Sequence, residues 1–258
     1  MNDQKTDRRS PIKDAPLRQA GQSLGEEIDR QDEDMDSYLV VALLAFSMAG
    51  NEWVHFFFDP TPHPRTITAL AVLALIYSTI KIRTIMRKRR DLRQGKKGEV
   101  TVGQDLEDLR KKGFKVLHDV CGEGFNVDHV LIGPRGIFTV ETKTWSKSAQ
   151  KPTSIHYDGK VITIGGHAMI ADPVRQAKAQ ASWLKDLIKK QTGKDFTVWP
   201  VVVFPGWWVD PQPHGAEAWV LNPKALPAFL ESQKATLSGD DVEFVYARLA
   251  DYVRTSNH

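Results

Sequence analysis

Two long apolar blocks lie near the amino terminus, at residues 38–58 and 67–86, separated by the proline-rich segment 59–65. The charge-free core of each block is shorter than the ~20 residues that a bilayer-spanning helix needs. Each block therefore reaches spanning length only when its amphipathic end is included. The pattern predicts an N-terminal transmembrane α-helical hairpin over residues 37–86, in contact with membrane lipid. A pair of buried helices and a hairpin lying in the membrane interface are the alternatives.

The polar segments on either side of these blocks predict how the hairpin is embedded. Residues 1–36 carry mixed charge without apolar periodicity, which is typical of a disordered tail. Residues 87–97 read as a basic linker that contains a single acid, Asp91. By the positive-inside rule this linker faces the cytoplasm, so both termini are expected on the cytoplasmic side of a bacterial inner membrane. The same positive charges could also contact anionic lipid headgroups or nucleic acid.

From residue 98 onward the chain alternates strand and helix patterns, which predicts a cytoplasmic α/β domain over residues 98–258. A first helix is expected to end near Gly113, and Asp172-Pro173 is an N-cap signal for a later one. Pro200, near the start of the apolar run 198–204, argues for a strand edge or a bulge at that point. The other predicted elements are a strand at 114–120, hairpins at 126–145 and 154–164 (the second turning at Asp158-Gly159), and helices at 223–232 and 240–254.

Composition limits the kinds of functional site that the chain can contain. Hydrophobic residues make up 41% of the chain, enough for a substantial core, and the net charge of +3 is mild. Cys121 is the single cysteine, which excludes an internal disulfide framework and a cysteine-rich zinc site. No base partner lies near Cys121 in the sequence, so we expect a half-buried residue near a strand end rather than a nucleophile.

The hairpin at residues 126–145 carries the candidate chemistry. If Gly133-Pro-Arg-Gly136 forms its turn, Asp128 lies opposite Glu141, and strand alternation places Lys143 on the same face as Glu141. Directly opposed like charges are destabilising, so two carboxylates this close need a cation. Oxygen ligands favour Mg²⁺, and the backbone carbonyl of Thr142 could supply a third ligand. From the spacing alone, a solvated surface pair of carboxylates beside a lysine is an equally good interpretation.

Several spaced motifs around the hairpin favour the metal site over the solvated surface pair. In chain order they are Gly98-Glu99, Asn126-Val-Asp-His129, Val140-Glu-Thr-Lys-Thr-Trp145, Pro173-Val-Arg-Gln-Ala177 and Val201-Val-Val-Phe204. Together they closely resemble the NERD domain, the nuclease-related domain, over residues 95–205. The resemblance implies membership of the PD-(D/E)xK nuclease superfamily. It also implies a restriction-endonuclease-like mixed sheet flanked by helices.

The resemblance further implies roles for individual residues. Asp128, Glu141 and Lys143 fill the metal and catalytic positions. Glu99 matches an acidic position on the first core helix, where it would bind a second metal or act through water; a favourable charge at a helix amino terminus is the alternative. Gln176 matches a glutamine that would hydrogen-bond the DNA backbone or a metal-bound water. The alternative for Gln176 is an exposed polar residue in the first turn of its helix.

Residues close to this hairpin also have both structural and functional interpretations. His129 alternates to the face opposite Asp128, so we expect it to pack or to support the site indirectly. Trp145, Trp207 and Trp208 could stack on bases, and Trp145, which shares the face of Glu141, is the better candidate. For Trp207 and Trp208 core packing is expected, with an exposed aromatic loop near the membrane as an alternative. The family often has a glycine soon after the tryptophan, where this chain has residues Ser146 to Ala149, a difference that bears on substrate access.

These observations predict a membrane-anchored nuclease that uses Mg²⁺, with Mn²⁺ as the alternative metal, to hydrolyse phosphodiester bonds. DNA is the favoured nucleic-acid partner. A rival hypothesis of another class is a membrane-tethered nucleic-acid-binding or scaffold module that keeps the nuclease fold without useful catalysis. The intact set of Asp128, Glu141 and Lys143 favours the enzyme.

Overall fold

The computed structural model describes residues 17–58, 64–145, 154–169 and 172–256. The chain divides into two compact units. One is helical and comprises Gln22–Lys97, and the other comprises Gly98–His258 together with the segment that ends at Gly21.

The helical unit is built from two long helices, α1 at Gln22–Phe56 and the part of α2, Pro64–Glu107, that precedes Gly98. Two predictions were wrong here. Residues 22–36, expected to belong to a disordered tail, form the first turns of α1, and residues 87–97, expected to be a linker, continue α2. Residues 1–16 of the predicted tail and the helix connection at 59–63 lie outside the described residues.

Ion pairs connect the segments 22–36 and 87–97, which carry opposite charge. Lys88 Nζ lies 2.6 Å from a carboxylate oxygen of Glu27, and Arg89 lies 2.6 Å from a carboxylate oxygen of Asp32. The acidic run of α1 thus pairs with the basic run of α2. Because these partners are about sixty residues apart in the chain, a local reading of composition could not find them.

Both helices are long and apolar enough to cross a membrane. Many of their apolar side chains are exposed, and large exposed apolar patches are uncommon on soluble monomeric proteins. Leu43 is 68% exposed, Phe46 is 70% exposed and Leu70 is 62% exposed. Within the unit, Trp53 Nε1 donates a 2.8 Å hydrogen bond to Thr68 Oγ1 and so ties the end of α1 to the start of α2. These features indicate association with a membrane.

The second unit contains a five-stranded mixed sheet, which confirms the predicted fold class. Strands β1 to β3 are antiparallel neighbours, and β3, β7 and β8 run parallel to one another, in the order β1-β2-β3-β7-β8. The strands of this sheet are β1 (Lys115–Cys121), β2 (Asn126–Gly133), β3 (Gly136–Thr142), β7 (Val198–Val203) and β8 (Trp219–Leu221).

The β2–β3 hairpin has the predicted register. Gly133 pairs with Gly136, Ile132 with Ile137 and Val130 with Thr139. The expectation for Pro200 is also confirmed, because β8 pairs with β7 only from Val201 onward. Pro200 therefore lies where one side of β7 carries no neighbouring strand and no backbone donor is needed.

Helices cover both faces of the sheet. Helix α3 (Pro173–Thr192) and helix α5 (Gly239–Thr255) pack on one face, and the last turns of α2 pack on the other with the short helix α4 (Leu226–Ser232). Asp172 caps α3 as predicted, since its carboxylate accepts from the backbone N–H of Arg175.

A small second sheet lies beside this core. It contains β4 (Ile155–Tyr157), β5 (Ile162–Ile164) and β6 (His167–Ala168). The predicted two-residue turn at Asp158-Gly159 is a four-residue connection instead, because Tyr157 pairs with Ile162. The Asp158 carboxylate accepts from the N–H groups of Lys160 and Val161 and stabilises this longer turn.

Candidate active site

The candidate site lies where the β2–β3 ladder ends. The paired register stops at His129 opposite Val140, so Asp128 and Glu141 occupy the next position along the two strands. The backbone N–H of Thr142 donates a 2.7 Å hydrogen bond to Asp128 Oδ2. The alternation of inward and outward side chains places Asp128 and Glu141 on the face of the sheet that α3 covers.

Glu141 is more enclosed than Asp128 and Glu99, with 3% of its surface exposed. Its Oε1 lies 2.6 Å from Lys143 Nζ, and its Oε2 accepts a 2.6 Å hydrogen bond from Gln180 Nε2. Lys143 Nζ also donates to Gln176 Oε1 at 2.9 Å. The structure therefore places Lys143 in contact with both Glu141 and Gln176, and Asp128 is close enough to Glu141 for their charges to interact.

Gln180 is a residue that the sequence interpretation missed. It lies one helical turn after Gln176, so the spacing already placed both amides on the same face of α3. That spacing was the available signal, but the predicted register of β2 and β3 did not show which turn of α3 would reach the carboxylates.

The electrostatics of the site are dominated by the burial of its acids, and repulsion between the acids adds to this effect. Burial raises the pKa of Asp128 well above its usual range, and the negative charges of Glu141 and Glu99 add to the rise. The N–H of Thr142 opposes the shift only in part. Burial also raises the pKa of Glu99 to about 7, with further contributions from Asp119 and Glu141. A group of acids that resists ionisation in this way is suited to a cation.

The donor set fits a hard divalent ion, although the coordination would be completed by groups beyond the side chains. Among the described residues, no group of three or more His, Cys, Asp or Glu side chains is gathered closely enough to hold a metal. Asp128, Glu141 and the carbonyl of Thr142 would supply protein oxygens, and Mg²⁺ commonly keeps several waters beside one or two carboxylates. The oxygen chemistry of this donor set, with Asp128 and Glu141 at the same end of the hairpin, is the observation that supports this fit.

The structure contradicts one of the two interpretations of Glu99. Helix α2 begins at Pro64, so Glu99 lies deep within the helix rather than at its amino terminus, and stabilisation by the terminal helix dipole is wrong. Glu99 is partly buried and is close enough to Asp128 to raise the pKa of that acid.

His129 lies on the opposite face of the sheet, as predicted from strand alternation. It is fully buried, with its Nδ1 2.9 Å from His118 Nδ1 and its Nε2 3.4 Å from Thr142 Oγ1. His118 Nε2 in turn lies 3.0 Å from Glu107 Oε1. Burial lowers the pKa of both histidines, so the ring contact joins neutral imidazoles that support the strand bearing Thr142.

The tryptophans separate into different environments. Trp145 is 46% exposed and Trp208 is 71% exposed, whereas Trp207 is buried and donates from Nε1 to the carbonyl of Trp145 at 3.2 Å. Core packing is therefore confirmed for Trp207 and wrong for Trp208. Trp208 borders a cavity of about 650 Å³ beyond the end of β8 that shares no lining residue with the carboxylates. Cys121 is partly buried at the end of β1, as expected.

Comparison with known proteins agrees with this geometry. Residues 94–205 match the family described as the nuclease-related domain, NERD. An uncharacterized protein of Bacillus anthracis is 35% identical over 78 residues, which cover 28% of this chain and 37% of that protein. The chain thus matches little more than a third of the length of that relative. No solved structure matches the chain at a significant level. Residues 94–205 are therefore similar to the nuclease-related domain, NERD, a family of the PD-(D/E)xK-like superfamily.

Proposed function

We propose that this protein is a membrane-anchored, Mg²⁺-dependent nuclease that hydrolyses phosphodiester bonds in DNA. The observation that carries the proposal is the contact set of Asp128, Glu141, Lys143 and Gln176 at the open end of the β2–β3 hairpin, inside the NERD match. Two acids and a lysine on one sheet face suit a substrate that is anionic and is attacked by water.

The acids would hold the ion, and the chemistry that Mg²⁺ supplies when bound is neutralisation of the phosphate and acidification of a water molecule. Asp128, Glu141 and the Thr142 carbonyl are the proposed ligands. Mn²⁺ has similar ligand preferences and is the alternative metal.

Lys143 is the proposed electrostatic catalyst. Its ammonium group is held between Glu141 and Gln176, one residue beyond the end of β3, and can donate to a phosphate oxygen or orient water. Charge-assisted donors of this kind stabilise the negative charge that develops during phosphoryl transfer. Gln176 is proposed to position Lys143 and to hydrogen-bond the nucleic-acid backbone.

Glu99 is proposed to move protons through water near the site. A carboxyl group with a pKa of about 7 can both accept and release a proton at neutral pH. An ordinary glutamate is almost fully ionised at that pH and is a poorer acid.

The helical unit is proposed to be the anchor. Two exposed apolar helices, followed by a basic segment, favour a hairpin with both termini and the NERD domain in the cytoplasm.

The test is cleavage of plasmid, linear DNA and RNA by the full-length protein in detergent, with Mg²⁺ or with a chelator. We expect DNA cleavage with Mg²⁺ and none with the chelator. Cleavage that persists in the chelator would contradict the metal requirement. Binding of DNA without any cleavage in Mg²⁺ or Mn²⁺ would instead favour the non-catalytic scaffold, and cleavage of RNA alone would change the substrate.

A further inference from the structure

We propose that Gln180 is a positioning residue that fixes Glu141 for metal binding, by tying together the two strands that carry the carboxylates. This inference rests on the proposed function and adds a residue that acts through Glu141. It is carried by the hydrogen bonds, burial and placement of the Gln180 amide.

The direction of the Gln180 amide is set by its neighbours. Its Nε2 donates to Glu141 Oε2 at 2.6 Å and to the backbone carbonyl of Asn126 at 2.9 Å. Both partners are acceptors, so only the NH₂ end of the amide can serve them, and a flipped amide would place oxygen against oxygen. The assignment of nitrogen and oxygen is therefore unambiguous.

The two hydrogen bonds of Gln180 connect β2 with β3 beyond the last paired residues of these strands. Asn126 begins β2, Glu141 lies near the end of β3, and the paired register between these strands stops at His129 opposite Val140. Beyond that point Thr142 N–H reaches the Asp128 carboxylate, and Gln180 bridges Asn126 to Glu141. These contacts set how far apart the two acids lie.

The amide is rigidly placed. Gln180 is 2% exposed, and its neighbours Ala177 and Ala181 on α3 are buried against the core. Within the described part of the chain, the Oε1 of Gln180 is buried without a hydrogen-bond partner. An unsatisfied buried acceptor is unfavourable. A glutamine at this position is explained if the NH₂ group of its amide is needed to hold Glu141.

The consequence for Glu141 is that its two oxygens have separate tasks. Oε2 is held by Gln180, whereas Oε1 lies 2.6 Å from Lys143 Nζ. Groups that orient a metal-binding carboxylate in this way typically change metal affinity by about 10–100-fold when removed.

The experiment is a calorimetric titration of Mn²⁺ into the full-length protein in detergent, comparing wild type with Gln180→Met. Methionine keeps the length and helix preference of glutamine and removes both donors. We expect the Kd for Mn²⁺ to rise by about 10–100-fold. Gln191→Met, on an exposed turn of the same helix, is the matched control and should leave the Kd unchanged.

The thermal midpoint of each metal-free protein separates positioning from general stability. A second control, Ile188→Val, removes a methyl group from the buried face of α3 and should lower the midpoint without changing the Kd. Equal Kd values for wild type and Gln180→Met would overturn the role of Gln180 and leave the nuclease proposal standing. Absence of Mn²⁺ binding by the wild type would overturn the nuclease proposal and this inference with it. If Gln180→Met does not fold, Gln180→Asn, whose amide is one methylene too short to reach Glu141, is titrated with the same expectation.

Discussion

Three carboxyl groups, Asp128, Glu141 and Glu99, interact electrostatically at the candidate site. Glu141 raises the pKa of both Asp128 and Glu99, and Glu99 raises the pKa of Asp128. Glu99 also faces Asp119, which forms a buried ion pair with Arg18 at 2.8 Å. Lys143 is the nearby positive charge that opposes these shifts. In the absence of a metal the acids are therefore a source of instability that grows as they ionise.

The raised pKa of Glu99 predicts how the free energy of unfolding depends on pH. The pKa of Glu99 is 4.5 in its ordinary state and about 7 in the folded protein, so the folded state binds the proton more tightly. Stability from this group is consequently complete below about pH 4.5 and is lost as the pH rises towards 7. Glu99→Gln removes the ionisable group. Relative to wild type, the variant should gain on the order of 1–2 kcal/mol at pH 8, discounted for solvent screening, and nothing at pH 4.

The measurement is denaturant unfolding followed by tryptophan fluorescence, at several pH values in a chelating buffer. Asp105→Asn, which neutralises an acid elsewhere on α2, is the control. A Glu99→Gln variant with the same pH profile as wild type would show that Glu99 ionises normally in the folded protein.

At this scale the sequence predicted which of the candidate side chains share a face of the sheet but not how they contact one another. Asp128, Glu141 and Lys143 share a face because strand periodicity is local, and the structure shows the same arrangement. Gln180 was missed because its contact with Glu141 depends on how α3 packs across the sheet, a distance of 39 positions in the chain.

At the scale of elements, α2 packs closely against the residues that follow β3. This packing positions the segment that carries Lys143. A Cβ on Gly98 would lie 1.9 Å from Thr144 Cγ2 and 3.4 Å from Thr144 Cβ. Thr144 follows Lys143 directly, so helix and strand can approach this closely only because Gly98 has no side chain. The glycine in the Gly98-Glu99 motif thus has a packing role.

A double-mutant cycle tests this packing. Gly98→Ala should destabilise the protein by about 1–3 kcal/mol, because the added methyl group overlaps Thr144. Thr144→Ser removes Cγ2 and should cost little by itself, while the double variant should recover most of the loss. The free energy of unfolding from denaturant titration provides the measurement.

Gly239→Ala at the start of α5 is the control for this cycle, since nothing lies within 4 Å of its added Cβ. Additive effects of Gly98→Ala and Thr144→Ser would contradict direct contact between these two residues.

Element boundaries were predicted well where local signals define them and poorly where they do not. The cap at Asp172, the turn at Gly133–Gly136 and the strand at 198–203 depend on neighbouring residues and were found. The helical state of residues 22–36 and 87–97 was missed, because it is stabilised by ion pairs such as Lys88 with Glu27 that join distant parts of the chain.

At the scale of the whole molecule, the chain combines an apolar helical unit with a NERD domain. We expect the full-length protein to stay in the membrane fraction after an alkaline wash, because about 20 apolar residues per helix would be buried in lipid. A fluorescent reporter that matures only in the cytoplasm, fused after His258, should be bright. Release by the wash, or a dark reporter on an abundant fusion protein, would contradict the proposed anchor or its orientation.

The central claim is catalysis at the site that contains Lys143. Its most direct test is the initial rate of plasmid cleavage in saturating Mg²⁺ by wild type, Lys143→Ala and Lys178→Ala, each purified identically in full length. Lys178 is an exposed lysine on α3 that pairs with Glu217. Lys178→Ala therefore removes one positive charge outside the candidate site. We expect Lys178→Ala to retain the wild-type rate and Lys143→Ala to lose at least about 100-fold. Equal rates for all three proteins, or no cleavage by the wild type, would contradict the account.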